Sequence, residues 1–390
     1  MPVTSCVPPF ASERVLASLD QVFTQALSER TFSGASLLVA KPDLILFHKT
    51  WGRTHDGGGG STIDGHTFFD LASLTKPLIT APLYMHAVSE GVLDLDERLD
   101  RFFSAGLLPE DKRAITIRQL LCHSSGFPAY EPFFRELISI EPSERRDALL
   151  AKILATPLLS QPGRVSCYSD LGFILLGIML EVTHGKPLDS IAGQFLLRRF
   201  NDSLGFCRLK VPTNPIVSPE RLTTVARAFA ATEYCPWRNR LLAGEVHDEN
   251  AYCMGGVAGH AGLFGTAHGV YQLLMFLWDV YRNRTTHRSW SADVVQEFWM
   301  KQCGAPDGTW MLGFDTPSPE NSSAGKYFSP RSVGHLGFTG TSFWFDLDRE
   351  ILVILLTNRV HPTRENERMK DFRPLLHNLV METYCGISRN

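Results

Sequence analysis

The chain has no Cys-x-x-Cys pair, no apolar run of membrane length, no marked surplus of either charge and no internal repeat. Each absence excludes something. The longest apolar run, Leu171 to Leu180, falls well short of the roughly 20 residues a membrane helix needs, so no membrane span is expected. The balance of 38 Lys+Arg against 41 Asp+Glu, a net charge of -3, provides no basic field for nucleic acid. The opening Met1-Pro2-Val3-Thr4-Ser5-Cys6-Val7-Pro8-Pro9-Phe10 lacks a basic segment followed by an apolar stretch. No signal peptide is therefore read there and a cytoplasmic location is expected, with export by another route left open. Eight scattered cysteines (6, 122, 167, 207, 235, 253, 303 and 385) read as reduced core thiols. With 44% hydrophobic and 20% charged residues the chain is not disordered.

What is present is enough length, 390 residues, for about two or three structural units. Val15, Leu16, Leu19, Val22, Phe23 and Leu27 have helical spacing. Ala35–Ala40 and Leu44–Phe47 flank Lys41-Pro42-Asp43, which predicts a hairpin. Gly57-Gly58-Gly59-Gly60-Ser61 reads as a flexible turn between strands. From about 73 to 250 helical spacing dominates, with Leu171–Leu180 as a buried helix. Toward the end, Thr341–Asp346 and Ile351–Thr357 predict a second hairpin, and Phe372 to Tyr384 a closing helix. The run Ile351–Leu356 is apolar on both faces, as a central strand would be. The expected fold is α/β (α+β), with an antiparallel sheet built from the N- and C-terminal segments, flanked by helices. A mainly helical region is inserted between them. The boundaries are 12–385 for a single unit, 12–72 plus 260–385 for the sheet-containing part, and 73–259 for the mainly helical part.

The chemistry concentrates in Asp70-Leu71-Ala72-Ser73-Leu74-Thr75-Lys76-Pro77, where a loop enters a predicted helix running to about Glu90. Helix positions i and i+3 share a face, so Ser73 and Lys76 point into one space. A serine hydroxyl is a weak nucleophile until a base takes its proton, and a lysine three residues on is a candidate base. Chance also produces this spacing, and alone it reads as a capping serine beside an exposed lysine. Two further stretches change that: Cys167-Tyr168-Ser169-Asp170-Leu171-Gly172, and Gly334-His335-Leu336-Gly337-Phe338-Thr339-Gly340-Thr341.

In order and rough spacing the three stretches resemble the S-x-x-K, Y-x-N and K-T-G or H-x-G elements of the serine β-lactamase and penicillin-binding protein superfamily. The resemblance is to its class C-like branch, which holds class C β-lactamases, DD-peptidases and β-lactamase-like esterases. Asp94-Leu95-Asp96-Glu97, Ile115 to Gly126 and the final strand ending at Asn358 support it, over roughly Val15 to Leu379. The resemblance implies that Ser73 is the nucleophile, Lys76 its charge partner and Tyr168 the proton relay. The backbone N–H groups of Ser73 and Phe338 would form the oxyanion hole. Asp170, His335, Gly337 and Phe338 complete the expected substrate-binding set. It implies a serine hydrolase acting on an ester or amide through an acyl-enzyme, with β-lactams and D-amino-acid peptides among the candidate substrates. No metal or organic cofactor is expected, and the expected partner is a small molecule or short peptide. The oligomeric state is not legible.

Two departures bear on substrate. Asp170 stands where the pattern has an amide, and an ionised carboxylate there would hold Lys76 protonated. His335-Leu336-Gly337 replaces Lys-Thr-Gly, so a fixed cation and a hydroxyl are missing, which disfavours efficient β-lactam hydrolysis. They also motivate an alternative from another class, a catalytically silent penicillin-binding-like protein that binds peptide or cell-wall fragments. Other readings are weaker. His247, Asp248, Cys253 and His260 lack zinc-ligand spacing. Cys122-His123-Ser124-Ser125-Gly126 nearly matches a nucleophile elbow, but its helical context does not suit one.

Overall fold

The computed structural model describes residues 13–56, 58–221, 228–285, 287, 289–302 and 308–387. Its main sheet has five strands in the order Val333–Leu336, Ser342–Asp346, Ile351–Thr357, Gly34–Lys41, Leu44–Gly52, all neighbours antiparallel. Ile351–Thr357 is central, as its two-faced apolar run predicts. Strand side chains alternate between faces, and here the alternation divides two cores. Leu352, Ile354 and Leu356 join Leu38 and Ala40 in the core under the inserted region. Ile351, Val353 and Leu355 join Leu37 and Val39 in a second core, closed by the helices Glu13–Ser28 and Met369–Cys385. Both terminal helices match their sequence patterns.

The inserted region is built round the helix Asp170–His184, in which Leu171 through Leu180 are all buried. It also contains the strand Leu204–Phe206, which with Phe69–Asp70 and Leu263–Gly265 makes a small three-stranded sheet. A Cβ at Gly177 would lie 2.9 Å from the Gly259 nitrogen, so two glycines let the 258–262 segment press against this helix. That contact brings the His260 carbonyl to the site described below.

Smaller expectations resolve as follows. The glycine-rich segment is a loop closed by Thr54 and Ser61, whose backbones pair at 2.8 Å; Gly57 itself lies outside the described residues. Cys6 and Cys303 also lie outside them. The other six cysteines are free thiols, with Cys167 and Cys385 half-buried and the rest buried. Among the described residues no single helix is long and apolar enough to cross a membrane.

Candidate active site

Strand Phe69–Asp70 delivers the chain to Ala72, whose φ of 48° is left-handed, and Ser73 follows at once. The segment after Ser73 corrects the expectation of one continuous helix. A 3-10 turn (Ala72–Leu74) is followed by a π-helical stretch (Lys76–Thr80), and only then by an α-helix, Ala81–Ser89. Pro77 and Pro82 withhold two amide donors, and the ladder widens so that the Ala81 N–H reaches the Lys76 carbonyl. Asp70 fixes the approach. Its buried carboxylate accepts the Ala72 N–H at 2.8 Å and the His247 N–H at 2.7 Å. Burial raises its pKa against the pull of those two amides.

Lys76 is 0% exposed and its ammonium finds three acceptors, matching its three protons. They are Ser73 Oγ at 3.0 Å, Asp170 Oδ1 at 2.7 Å and the His260 carbonyl at 3.2 Å. Burial alone would lower the pKa of this lysine. Asp170 and then Tyr168 outweigh it, so the net direction is upward and the resting amine is charged. Tyr168 places its ring 4.8 Å from Lys76 Nζ and lines the same cavity as Ser73. Burial pushes its phenol up to about 12, with Lys76 opposing.

The Tyr168–Asp170 turn is held by residues the motif does not include. Ser169 caps the Asp170–His184 helix, accepting the Gly172 N–H and donating to the Pro128 carbonyl at 2.7 Å. Its own N–H donates to His123 Nδ1 at 3.0 Å. His123 sits among Tyr168, Phe173 and Trp310, and burial with the nearby Lys76 charge keeps it neutral. Sequence reading had it inside a supporting segment without a role.

The third stretch is clamped to the first. Thr339 Oγ1 donates to the Asp70 carbonyl at 2.7 Å and Thr341 Oγ1 to the Leu71 carbonyl at 3.2 Å. Only glycine fits at 337, because a Cβ there would lie 2.0 Å from Thr341 Oγ1 and 2.8 Å from the Leu71 carbonyl. Among the described residues, the Ser73 and Phe338 amides have no hydrogen-bond acceptor. Two such N–H groups beside a serine can receive an oxyanion.

Ser73, Tyr168, Asp170, His335, Gly337 and Phe338 all line one cavity of about 730 Å³, with Lys76 buried beneath Ser73. His247, Asp248 and His260 border the same space. There Asp248 caps the helix Glu249–Cys253 and pairs with His260 Nε2 at 2.9 Å, while Cys253 turns away toward the Phe134 carbonyl. Among the described residues no three His, Cys, Asp or Glu side chains converge on a metal-sized site. Ser124, the rival nucleophile, is buried against Cys122 at the end of a short helix, Ile117–Leu121.

His335 is 2% exposed, and its Nδ1–H donates to the Leu336 carbonyl at 2.7 Å. That bond fixes the tautomer and leaves Nε2 as an acceptor, with no partner among the described residues. Burial and Lys76 lower its pKa to about 3, so it is neutral at every ordinary pH. Asp315, on the same wall, has its pKa raised to about 6 by burial, against hydrogen bonds from Thr309 and the Thr316 amide. Its carboxyl is neutral below that value and repels anions above it. Affinity for a carboxylate-bearing substrate is therefore expected to weaken as pH rises through about 6. The inflection should vanish in Asp315→Asn, survive in His335→Asn and be absent for a neutral ester. KM-against-pH curves for the three proteins check this.

The fold and the Ser–Lys–Tyr arrangement define a serine hydrolase of the β-lactamase and penicillin-binding protein superfamily. The chain belongs to the Beta-lactamase family, which it matches over residues 19–377. It is similar to the N-acetylmuramyl-L-alanine amidase of Bacillus subtilis (strain 168), 31% identical over 378 residues, covering 90% of this chain and 82% of the relative. A protein of Escherichia coli (strain K12) described as "Putative D-alanyl-D-alanine carboxypeptidase" is 29% identical over 356 residues, covering 85% and 79%. Among solved structures, simvastatin synthase (LovD) from Aspergillus terreus superposes with a TM-score of 0.68 at 17% identity, covering 97% of this chain and 100% of that one.

Proposed function

We propose that the protein cleaves an amide or ester bond in a cell-wall-derived peptide fragment through a covalent acyl-enzyme on Ser73. The observation that carries this reading is Ser73 Oγ held 3.0 Å from Lys76 Nζ at the floor of the cavity, with the Tyr168 ring 4.8 Å from the same ammonium. Ser73 attacks the carbonyl carbon, and the oxygen takes up negative charge against the Ser73 and Phe338 amides. A hydroxyl both donates and accepts. Tyr168 can therefore receive the serine proton while passing its own to the leaving nitrogen or oxygen, with no free tyrosinate required. The Lys76 charge stabilises whatever negative character the phenol acquires. Water, activated by the same phenol, then releases the acyl group.

An amide substrate is supported by the descriptions of the amidase and carboxypeptidase named above. The attraction for a carboxylate that the third stretch gives up is supplied by Arg359, which lines the cavity and forms no ion pair among the described residues. One observation favours the silent-binder reading: at rest Lys76 is charged and Tyr168 is protonated, so neither is a ready base.

Intact-mass spectrometry after fluorophosphonate treatment, with peptide mapping, tests the nucleophile. The expected result is one adduct, on Ser73. An adduct on Ser124 would overturn the assignment, and no adduct on folded protein would favour the binder.

A further inference from the structure

The peptide joining Gly337 to Phe338 is free on its N–H side and doubly held on its carbonyl side. The Gly337 oxygen accepts the Gly340 N–H at 3.0 Å and Arg373 Nη2 at 3.0 Å. The same Nη2 donates to the Thr341 carbonyl, also at 3.0 Å. Arg373 projects from the C-terminal helix Met369–Cys385 and is only 9% exposed. Among the described residues it forms no ion pair, and its Nε has no partner. The charge acting on it is another cation, Arg359, whose Nε donates to the Phe338 carbonyl at 2.7 Å. A buried guanidinium without a carboxylate is costly to keep. What it touches here is the carbonyl end of the peptide whose N–H, at Phe338, has no acceptor among the described residues and belongs to the cavity that Ser73 also lines.

A peptide unit is one conjugated group, so a strong donor at its oxygen withdraws electron density from its nitrogen and strengthens the N–H as a donor. The effect is largest where the dielectric is low and the donor is charged. We propose that Arg373 is a positioning residue of the oxyanion hole, fixing and polarising the Gly337–Phe338 peptide so that the Phe338 N–H meets the oxyanion as a stronger donor than an ordinary amide. This rests on the acyl-enzyme reading above. The competing role for a cation in this cavity, direct capture of a substrate carboxylate, is separated from it by using a substrate with none.

The test uses p-nitrophenyl acetate, a neutral ester, with Arg373→Met, Arg373→Lys and Arg373→Ala. The expected result for Arg373→Met is a fall in kcat of about 10- to 100-fold, short of the ~10²–10³ for losing an oxyanion donor outright. KM should stay within about twofold. Arg373→Lys should fall between, and methylguanidinium should restore part of the Arg373→Ala rate, which lost folding would not allow. In protein labelled with ¹⁵N-phenylalanine, the Phe338 amide proton, assigned through Phe338→Leu, should move upfield in Arg373→Met and partly return in Arg373→Lys. Unchanged kcat on the neutral ester overturns the proposal, and so does an unmoved Phe338 amide. A loss confined to KM for carboxylate-bearing substrates does the same and assigns Arg373 to substrate capture. Failure of the wild-type protein to label at Ser73 would sink the acyl-enzyme reading, while the Phe338 amide shift would still decide this one.

Discussion

Ser73→Ala is expected to lower kcat by about 10⁴- to 10⁶-fold while leaving the fold intact. The magnitude follows from what one oxygen supplies: without it no acyl-enzyme forms, and only the oxyanion donors and binding remain to accelerate attack by water. The structural cost should be small. Ser73 is half-buried, and Lys76 loses one of three acceptors, keeping Asp170 at 2.7 Å and the His260 carbonyl at 3.2 Å. About 1 kcal/mol or less is expected in chemical denaturation. The pair of measurements is decisive because activity and stability should part. A residual rate within tenfold of wild type would remove Ser73 from the mechanism.

The second large effect is on stability. Lys76→Met removes a fully buried cation from a carboxylate that is 17% exposed. Stranding one member of a buried pair costs about 3–5 kcal/mol, and the residual exposure of Asp170 puts the expectation near ~3 kcal/mol. Replacing both members should recover most of that, because the expense lies in the orphaned charge. Lys76→Met/Asp170→Asn is thus expected to be nearly as stable as wild type and still inactive. A single Asp170→Asn has a distinctive pH signature. In the wild type the raised Lys76 pKa contributes stability that is fully present below the ordinary lysine value of about 10.4 and is lost as pH rises past it. Without Asp170, burial is left as the larger influence and the folded pKa drops below that of the unfolded chain. Stability should then increase as pH climbs toward 10. Urea titrations at pH 7, 8.5 and 10 should give a flat contribution in the wild type and a rising one in Asp170→Asn if the pair works this way.

How much of this was legible in the chain depends on how local the information is. Ser73 and Lys76 are one helical turn apart, Tyr168 and Asp170 share a single turn, and Gly337 and Phe338 are neighbours. Each pair announces itself in a few consecutive letters. The alternation that divides Ile351–Leu356 between two cores is likewise local. What sequence reading missed arrives by tertiary contact. Arg373 comes from a terminal helix, Asp315 from a loop bridged to Gly334, and His123 from beyond a different helix. Nothing in their immediate neighbours marks them. The π-helical stretch after Ser73 could have been suspected, since Pro77 and Pro82 stand five residues apart and each deletes a donor. What periodicity cannot show is which wider hydrogen bond replaces the missing ones.

The five-stranded sheet joins the two ends of the polypeptide. Gly34–Lys41 pairs with Ile351–Thr357, and the Asn358 side chain accepts the Ser33 N–H from 325 residues away. Contacts of such sequence separation form late, because loop-closure entropy must be overcome before they stabilise anything. On the ribosome Ser73, Lys76 and Tyr168 are all made well before the strand Val333–Leu336. Phe338, its clamp and Arg373 emerge well after them. A nascent or truncated chain thus carries Ser73 without the Phe338 amide, and its first strand, paired only with Leu44–Gly52, waits with its other edge open and apolar residues on both faces. A released fragment ending before Val333 would lack three strands of the five-stranded sheet and the Phe338 amide, and is expected to be inert and prone to aggregate.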